Sequence, residues 1–274
     1  MKVYISFDFE GIGGVAFWKE TEQDARWNNI ATKQLKAFID GIFSKNPDAQ
    51  IVVSDSHGYG ESIIWENLEN VKIVRGWPRV FYMVEGLDET FTDLVLFGYH
   101  SSIGGEGMMD HTYSSSSIYS IKMNGEYLDE ARINAYFASE LNVPLSFIYG
   151  DRQAIENSPS YPEIDHCISK DAISRFCGLM RPEKQLLDEL YLKGQNLGKN
   201  KKIVKPQVKK DGKIYPLFVE MEFNDTVRAK LASILPEVKL VTPRKAIFEC
   251  ENVGIFYRLL NAITIICAAA KTVH

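Results

Sequence analysis

The sequence predicts an α/β fold built on a mostly parallel, helix-covered sheet, and three observations predict it. Short apolar runs end abruptly on polar residues, as buried strands feeding loops do. Between them lie segments whose apolar residues recur at helical spacing, and the alternation continues into the second half of the chain. In such sheets ligands gather outside the carboxyl ends of the strands, so the residues at those ends are the ones to inspect for function.

The first strand is the β-branched and aromatic run Lys2 to Phe7, which stops at Asp8-Phe9-Glu10-Gly11. Thr21 and Asp24 can open a helix in which Ile30, Leu35, Phe38, Ile39 and Ile42 recur, until Asn46-Pro47 ends it. Ile51 to Ser54 reads as the next strand, ending at Asp55-Ser56-His57-Gly58, and Leu94 to Tyr99 as another, ending at His100. Ser101 to Ser117 has no period and is made largely of Gly, Ser, Met and Asp, the composition of a functional or mobile loop; His111 lies inside it. Ile118 to Met123 and Glu126 to Leu128 flank Asn124-Gly125, the favoured two-residue hairpin turn. A helix over 129–141 is closed by Asn142 and Pro144, and Leu145 to Tyr149 forms a further strand before Gly150-Asp151.

Beyond it the sequence predicts a helix from Pro182, a strand from Leu217 to Phe223, a helix after Asn224-Asp225, strands over 238–242 and 246–250, and a C-terminal helix. We read residues 1–274 as a single α/β domain, with a core that carries the chemistry over 1–150 and a smaller C-terminal α/β portion over 151–274. Lys199 to Lys202, with Lys205, Lys209 and Lys210, reads as a solvated surface loop.

With 45% hydrophobic and 24% charged residues the chain is an ordinary globular protein, and its net charge of −5 supplies no dense cationic field for nucleic acid. A small-molecule substrate is the expectation. Cys167, Cys177, Cys250 and Cys267 have neither disulfide-framework nor zinc-finger spacing and read as reduced cytoplasmic thiols. The run into Asp8 leaves no room for a signal peptide, and the longest apolar stretch, Leu259 to Ala270, is too short to span a bilayer and contains Asn261 and Thr264. A cytoplasmic protein without membrane or nucleic-acid partners is therefore expected.

Two of the five histidines, His57 and His100, stand directly at expected strand ends, and Asp8 and Glu10 stand at a third. A dinuclear hydrolytic site needs carboxylates to offset charge and bridge the ions and imidazoles to complete their shells, all converging from different elements. Singly, each residue has a plainer reading. Asp8 could bind loop amides, Glu10 could be a surface carboxylate, and His57 or His100 could be a hydrogen-bonded structural histidine. Their coincidence at strand ends is what favours metal. Asp55 could itself ligate or, equally, orient an imidazole from outside, and we place it in the outer role. Glu130 on local grounds only favours a helix dipole, with Asn134 one turn later on the same face. His166 and His274 have no comparable setting. Gly11-Ile12-Gly13-Gly14 lacks a dinucleotide-binding order, and no Gly-x-Ser-x-Gly elbow or His-Glu-x-x-His motif is present.

Ser6-x-Asp8-x-Glu10-Gly11-Ile12-x-Gly14, Asp55-Ser56-His57, Met83-Val84-Glu85-Gly86-Leu87-Asp88, Gly98-Tyr99-His100 with His111 beyond, Glu130 followed by Asn134-Ala135-Tyr136, and Gly150-Asp151 form an ordered series along most of the chain. In this series the sequence resembles the zinc-dependent D-aminopeptidases, whose founding bacterial member was first named as a dipeptide-transport protein. The resemblance implies a three-layer α/β/α core. It implies that Asp8 bridges two Zn2+ ions, that Glu10, His57, His100 and Glu130 complete their shells, and that His111 is the catalytic histidine. Such ligands also accept Mn2+ or Co2+. It further implies a cytoplasmic homo-oligomer, a decamer around an internal chamber, that releases N-terminal D-amino acids from short peptides with a dizinc-activated water. Two other readings share the donor set: a dinuclear amidase or deacylase acting on a non-peptide amide, and a non-catalytic metal-containing protein associated with peptide binding or transport. The chain departs from the family pattern at Phe7 and Phe9, at Gly13 where Ser is more usual, and at Arg152 where a second acid can stand. These departures leave the expected metal set intact and bear on the substrate.

Overall fold

The computed structural model describes residues 1–22, 24–158 and 161–272, so His274 lies outside the described residues. In chain order the first half comprises β1 (Lys2–Phe7), α1 (Ala25–Lys45), β2 (Gln50–Asp55), β3 (Val71–Val74), β4 (Asp93–Tyr99), β5 (Ile118–Met123), β6 (Glu126–Tyr127), α2 (Glu130–Glu140) and β7 (Leu145–Gly150). There follow α3 (Arg152–Glu156), β8 (Asp165–Ile168), β9 (Lys170–Ser174), β10 (Cys177–Met180), α4 (Glu183–Gln195), β11 (Leu217–Phe223), α5 (Thr226–Ala232), β12 (Lys239–Leu240), β13 (Lys245–Cys250) and α6 (Val253–Ala268). No helix among the described residues is long and apolar enough to cross a membrane.

The main sheet has the order β3-β2-β1-β4-β7-β8 and is parallel throughout. The chain winds outward from β1 to β3, then returns to β4 on the other side of β1, so the strand order reverses between β1 and β4. A sheet of this kind opens a crevice at such a reversal, at the carboxyl ends of the strands. Both faces are covered, as the side-chain alternation requires. Val3, Ile5 and Phe7 of β1 join Leu35, Phe38 and Ile42 of α1 and Leu186 and Leu190 of α4 in one core. Tyr4 of β1 and Leu94 and Leu96 of β4 face a second core with Ile133 and Phe137 of α2 and Phe256 and Leu260 of α6.

Beyond α2 lies a second, antiparallel sheet of order β12-β13-β11-β5-β6, which draws strands from both sides of residue 150. Its β5–β6 hairpin turns at Asn124 and Gly125, both left-handed (φ 52° and 90°), as the Asn-Gly pair foretold. Helix starts follow the capping rule: the carboxylates of Asp24, Asp129 and Asp225 accept backbone N–H groups of the first turns of α1, α2 and α5. The sequence reading missed β3, α3 and β8 to β10, which are short and carry no clean period.

The reversal point is packed to backbone contact. Gly98 is left-handed (φ 85°), and a β-carbon there would lie 2.1 Å from the Asp8 carbonyl oxygen. Gly98→Ala therefore combines a disfavoured backbone conformation with overpacking. It is expected to lower unfolding stability by about 1–3 kcal/mol in urea titration, and an unchanged midpoint would contradict the close approach.

Candidate metal centre

The six residues singled out by the sequence converge at the reversal point. Asp8 and Glu10 leave the end of β1, fastened to the end of β4 by Asp8 N–H to the Phe97 carbonyl (2.7 Å) and Gly11 N–H to the Gly98 carbonyl (2.7 Å). His57 lies just past β2, His100 just past β4, and Glu130 is the first residue of α2. His57 Nε2 is 3.3 Å from Glu10 Oε1; His100 Nε2 is 3.5 Å from Asp8 Oδ2 and 3.6 Å from Glu130 Oε1. His111 stacks flat on His100, with centroids 4.2 Å apart, and its Nε2 lies 3.9 Å from Glu10 Oε1 and 3.8 Å from Glu130 Oε1. His111 thus stands among the candidate ligands rather than apart from them.

Hydrogen bonds on the far side of two rings fix their orientation. His100 Nδ1 is 2.9 Å from the Ser101 carbonyl and His111 Nδ1 is 3.0 Å from the Met109 carbonyl, so each Nδ1–H donates to backbone and each Nε2 faces the carboxylates. His57 Nδ1 lies 3.4 Å from Ser62 Oγ. Asp55 points elsewhere, accepting the Ile63 N–H (2.9 Å) and holding the loop that carries His57.

The donor set fits a divalent cation. Asp8 Oδ2, Glu10 Oε2 and His100 Nε2 are buried and have no hydrogen-bond partner, an arrangement that costs about 1–3 kcal/mol for each such atom unless something binds there. Donor atoms of Asp8, Glu10 and His100 lie within 4.8 Å of one another, as do those of His100, His111 and Glu130, so His100 is common to two ligand groups.

The electrostatics point the same way. Burial pushes the Asp8 carboxyl well above its usual range, and the neighbouring Glu10 and Glu130 carboxylates push it further. Burial also opposes ionisation of Glu10 and Glu130, yet the imidazole of His57 beside Glu10, and that of His100 beside Glu130, hold both below the ordinary carboxylate range. His100 answers in kind: burial disfavours its charged form, but Glu130 and Asp8 raise it well above the usual histidine value. Protons on imidazoles thus balance the buried acids, and a cation at the same spot would do so in their place. His111 differs. Burial, then the adjoining His100, lowers its pKa below the usual histidine value.

Several residues around the centre escaped the sequence reading. Lys170, fully buried at the start of β9, donates from Nζ to the carbonyls of Glu10 (2.5 Å), Ile12 (3.1 Å) and Val15 (2.5 Å), and so pins the segment after β1. Trp18 meets the His111 ring edge-on at 5.0 Å. Tyr82 is left-handed (φ 40°), uncommon for a bulky side chain, and packs between Trp77 and Tyr113. The Tyr113 N–H donates to Glu130 Oε1 at 2.6 Å. Behind the centre Ser6 Oγ pairs with the Tyr99 hydroxyl (2.7 Å), Asn134 Nδ2 donates to that hydroxyl (2.6 Å), and the Tyr257 hydroxyl donates to Asn134 Oδ1 (2.6 Å) while meeting that of Tyr113. Of these, Ser6, Tyr99 and Asn134 stood in the motif series of the sequence, and Asn134 also shares the face of Glu130.

Two of the departures from the expected pattern, Gly13 and Arg152, have local explanations. At Gly13 a β-carbon would lie 2.4 Å from Leu186 Cδ2, and the Gly13 N–H is shared by Gln34 and Tyr149. Arg152 pairs with Asp171 and Glu156 at the surface. His166 hydrogen-bonds the Ile164 carbonyl. A cavity of 340 Å³ opens beside His57 and is lined by Thr21, Glu22, Tyr59 and Ser62; a larger one of 510 Å³, between α1 and α4, includes none of the six converging residues.

Comparison with known proteins agrees with the geometry. The D-aminopeptidase of Bacillus subtilis (strain 168) is 28% identical over 279 residues, spanning 96% of this chain and 97% of that protein. The solved structure of the Zn-dependent D-aminopeptidase DppA from Bacillus subtilis, a self-compartmentalizing protease, is similar with a TM-score of 0.87 at 24% identity, covering 98% of each chain. The family model for D-aminopeptidases matches residues 1–262, and the chain belongs to the D-aminopeptidase family.

Proposed function

We propose that this protein is a zinc-dependent aminopeptidase that releases N-terminal D-amino acids from short peptides. The observation that carries the reading is the set of partnerless buried donor atoms on Asp8, Glu10 and His100, at the sheet's reversal point, in a chain of this family. Asp8, Glu10, His57, His100 and Glu130 are the residues that would hold two Zn2+ ions. Bound there, the ions supply Lewis acidity toward the peptide carbonyl and bring the pKa of water toward neutrality.

The protein's own residues do the rest. His100, His111 and Glu130 are held by backbone partners, so that few degrees of freedom remain to be lost when substrate binds. His111 directs its Nε2 at the centre while its Nδ1 stays on the Met109 carbonyl. It takes up a proton from the attacking water as the water oxygen bonds to the amide carbon, and delivers it to the amine nitrogen as the C–N bond breaks. Nothing favours the non-peptide amidase or the binding-protein reading over this one.

Self-compartmentalization of the relative DppA supports a homo-oligomer here, for which we propose the decamer. Ile173 and Leu179, exposed on β9 and β10, offer apolar surface for such contacts. The four free cysteines support a reducing, cytoplasmic setting.

Adding zinc to chelator-stripped protein is expected to raise the melting temperature, by the equivalent of about 2.7 kcal/mol at a hundredfold excess over Kd. His100→Ala should lose that rise, and an equal rise in the variant would remove His100 from the ligand set. A panel of matched D- and L-aminoacyl peptides tests the activity: hydrolysis confined to the D-series, abolished by chelation and restored by zinc, is expected. Zinc-replete protein inert toward the whole panel would refute the assignment. His111→Ala should keep the zinc content and lower turnover by about 10²–10⁴; full turnover would exclude a proton-transfer role.

A further inference from the structure

The segment bearing His111 is not held by the metal-bearing strands alone. Its neighbour is the hairpin β9–β10, whose turn is Arg175-Phe176. The Arg175 carbonyl accepts the Met109 N–H at 2.8 Å. The guanidinium of Arg175 binds the next residue twice, from Nε to Asp110 Oδ1 (2.8 Å) and from Nη2 to the Asp110 carbonyl (2.9 Å). Met109 is left-handed (φ 50°), a conformation a non-glycine residue keeps only when its surroundings hold it. The same Met109 supplies the carbonyl that orients His111 Nδ1. On the other side of the imidazole, Phe176 packs against Trp18 (6.1 Å), which meets the His111 ring edge-on.

We propose that Arg175 is a positioning residue for His111: by clamping Met109 and Asp110 to the tip of the β9–β10 hairpin, it fixes the direction in which the His111 Nε2 faces the centre. The proposal rests on the reading of His111 as the proton carrier. The fork geometry matters as well as the charge, because one planar group reaches a carboxylate and a carbonyl at once. The Arg175 side chain is 45% exposed, so its removal leaves no buried void, and a loss of activity need not come from unfolding. Acting through a second residue has a distinctive consequence. Once His111 is gone, there is nothing left for Arg175 to aim.

The test is a double-mutant cycle on the assembled, zinc-loaded protein, reading kcat, KM, zinc content and melting temperature on one D-aminoacyl peptide. Arg175→Ala is expected to lower kcat by about 10–100-fold, the scale of a small misplacement of a reacting group, with KM within about twofold and zinc content unchanged. Arg175→Lys, which keeps the charge but not the fork, should recover part of the loss. In the His111→Ala background, Arg175→Ala should change kcat no further. The same fold-loss in both backgrounds, no loss in the wild-type background, or a loss explained by missing zinc would each overturn the proposal while leaving His111 in its role. Full turnover in His111→Ala alone would overturn the His111 reading itself and this proposal with it.

Discussion

Three carboxylates withdrawn from water at one point are the constraint on which the rest of the structure depends. Asp8, Glu10 and Glu130 are each almost wholly buried, and charges so placed are tolerated only when countercharge reaches them. The fold brings three imidazoles to within 4 Å of those oxygens, His57 from the loop after β2 and His100 and His111 from the segment between β4 and β5. Neither group of side chains would be stable there without the other or a cation. The architecture can be understood as the means of delivering both to one place.

That delivery uses the sheet in one way and the helices in another. Strands β1, β2 and β4 are adjacent, so residues just beyond their ends are neighbours without long side chains having to bridge a gap. Glu130 comes from the opposite direction, on the first turn of α2, where its carboxylate also meets the favourable end of the helix dipole. The β5–β6 hairpin immediately before α2 is locked into the second sheet and sets where that helix begins. The antiparallel sheet therefore supports the centre, although it contributes no donor to it.

What was legible in the sequence follows from how local each signal is. A strand that ends on a carboxylate or an imidazole can be read from a few neighbouring residues, and so Asp8, Glu10, His57 and His100 stood out, as did the Asn124-Gly125 turn and the capping aspartates. Glu130 was locally indistinguishable from any acid at a helix start, and only the family resemblance drew it into the set. Lys170 carries no local signal, because its burial depends on three carbonyls contributed by the loop after β1, far away in sequence. β3 and the β9–β10 hairpin were illegible for a related reason. Val71 to Val74 is only half-buried, and Ile173 and Leu179 face outward, so no two-residue alternation marks these strands. The pairing of β5 with β11 likewise leaves no trace in either segment alone.

The chain of hydroxyls and amide behind the candidate donors runs from Ser6 through Tyr99 and Asn134 to Tyr257 and Tyr113, and so joins β1 to α6. A helix that supplies no donor thereby backs the strand and the helix that carry His100 and Glu130 at their ends. The tolerance of the centre to change is therefore set by its polar backing as well as by its donors.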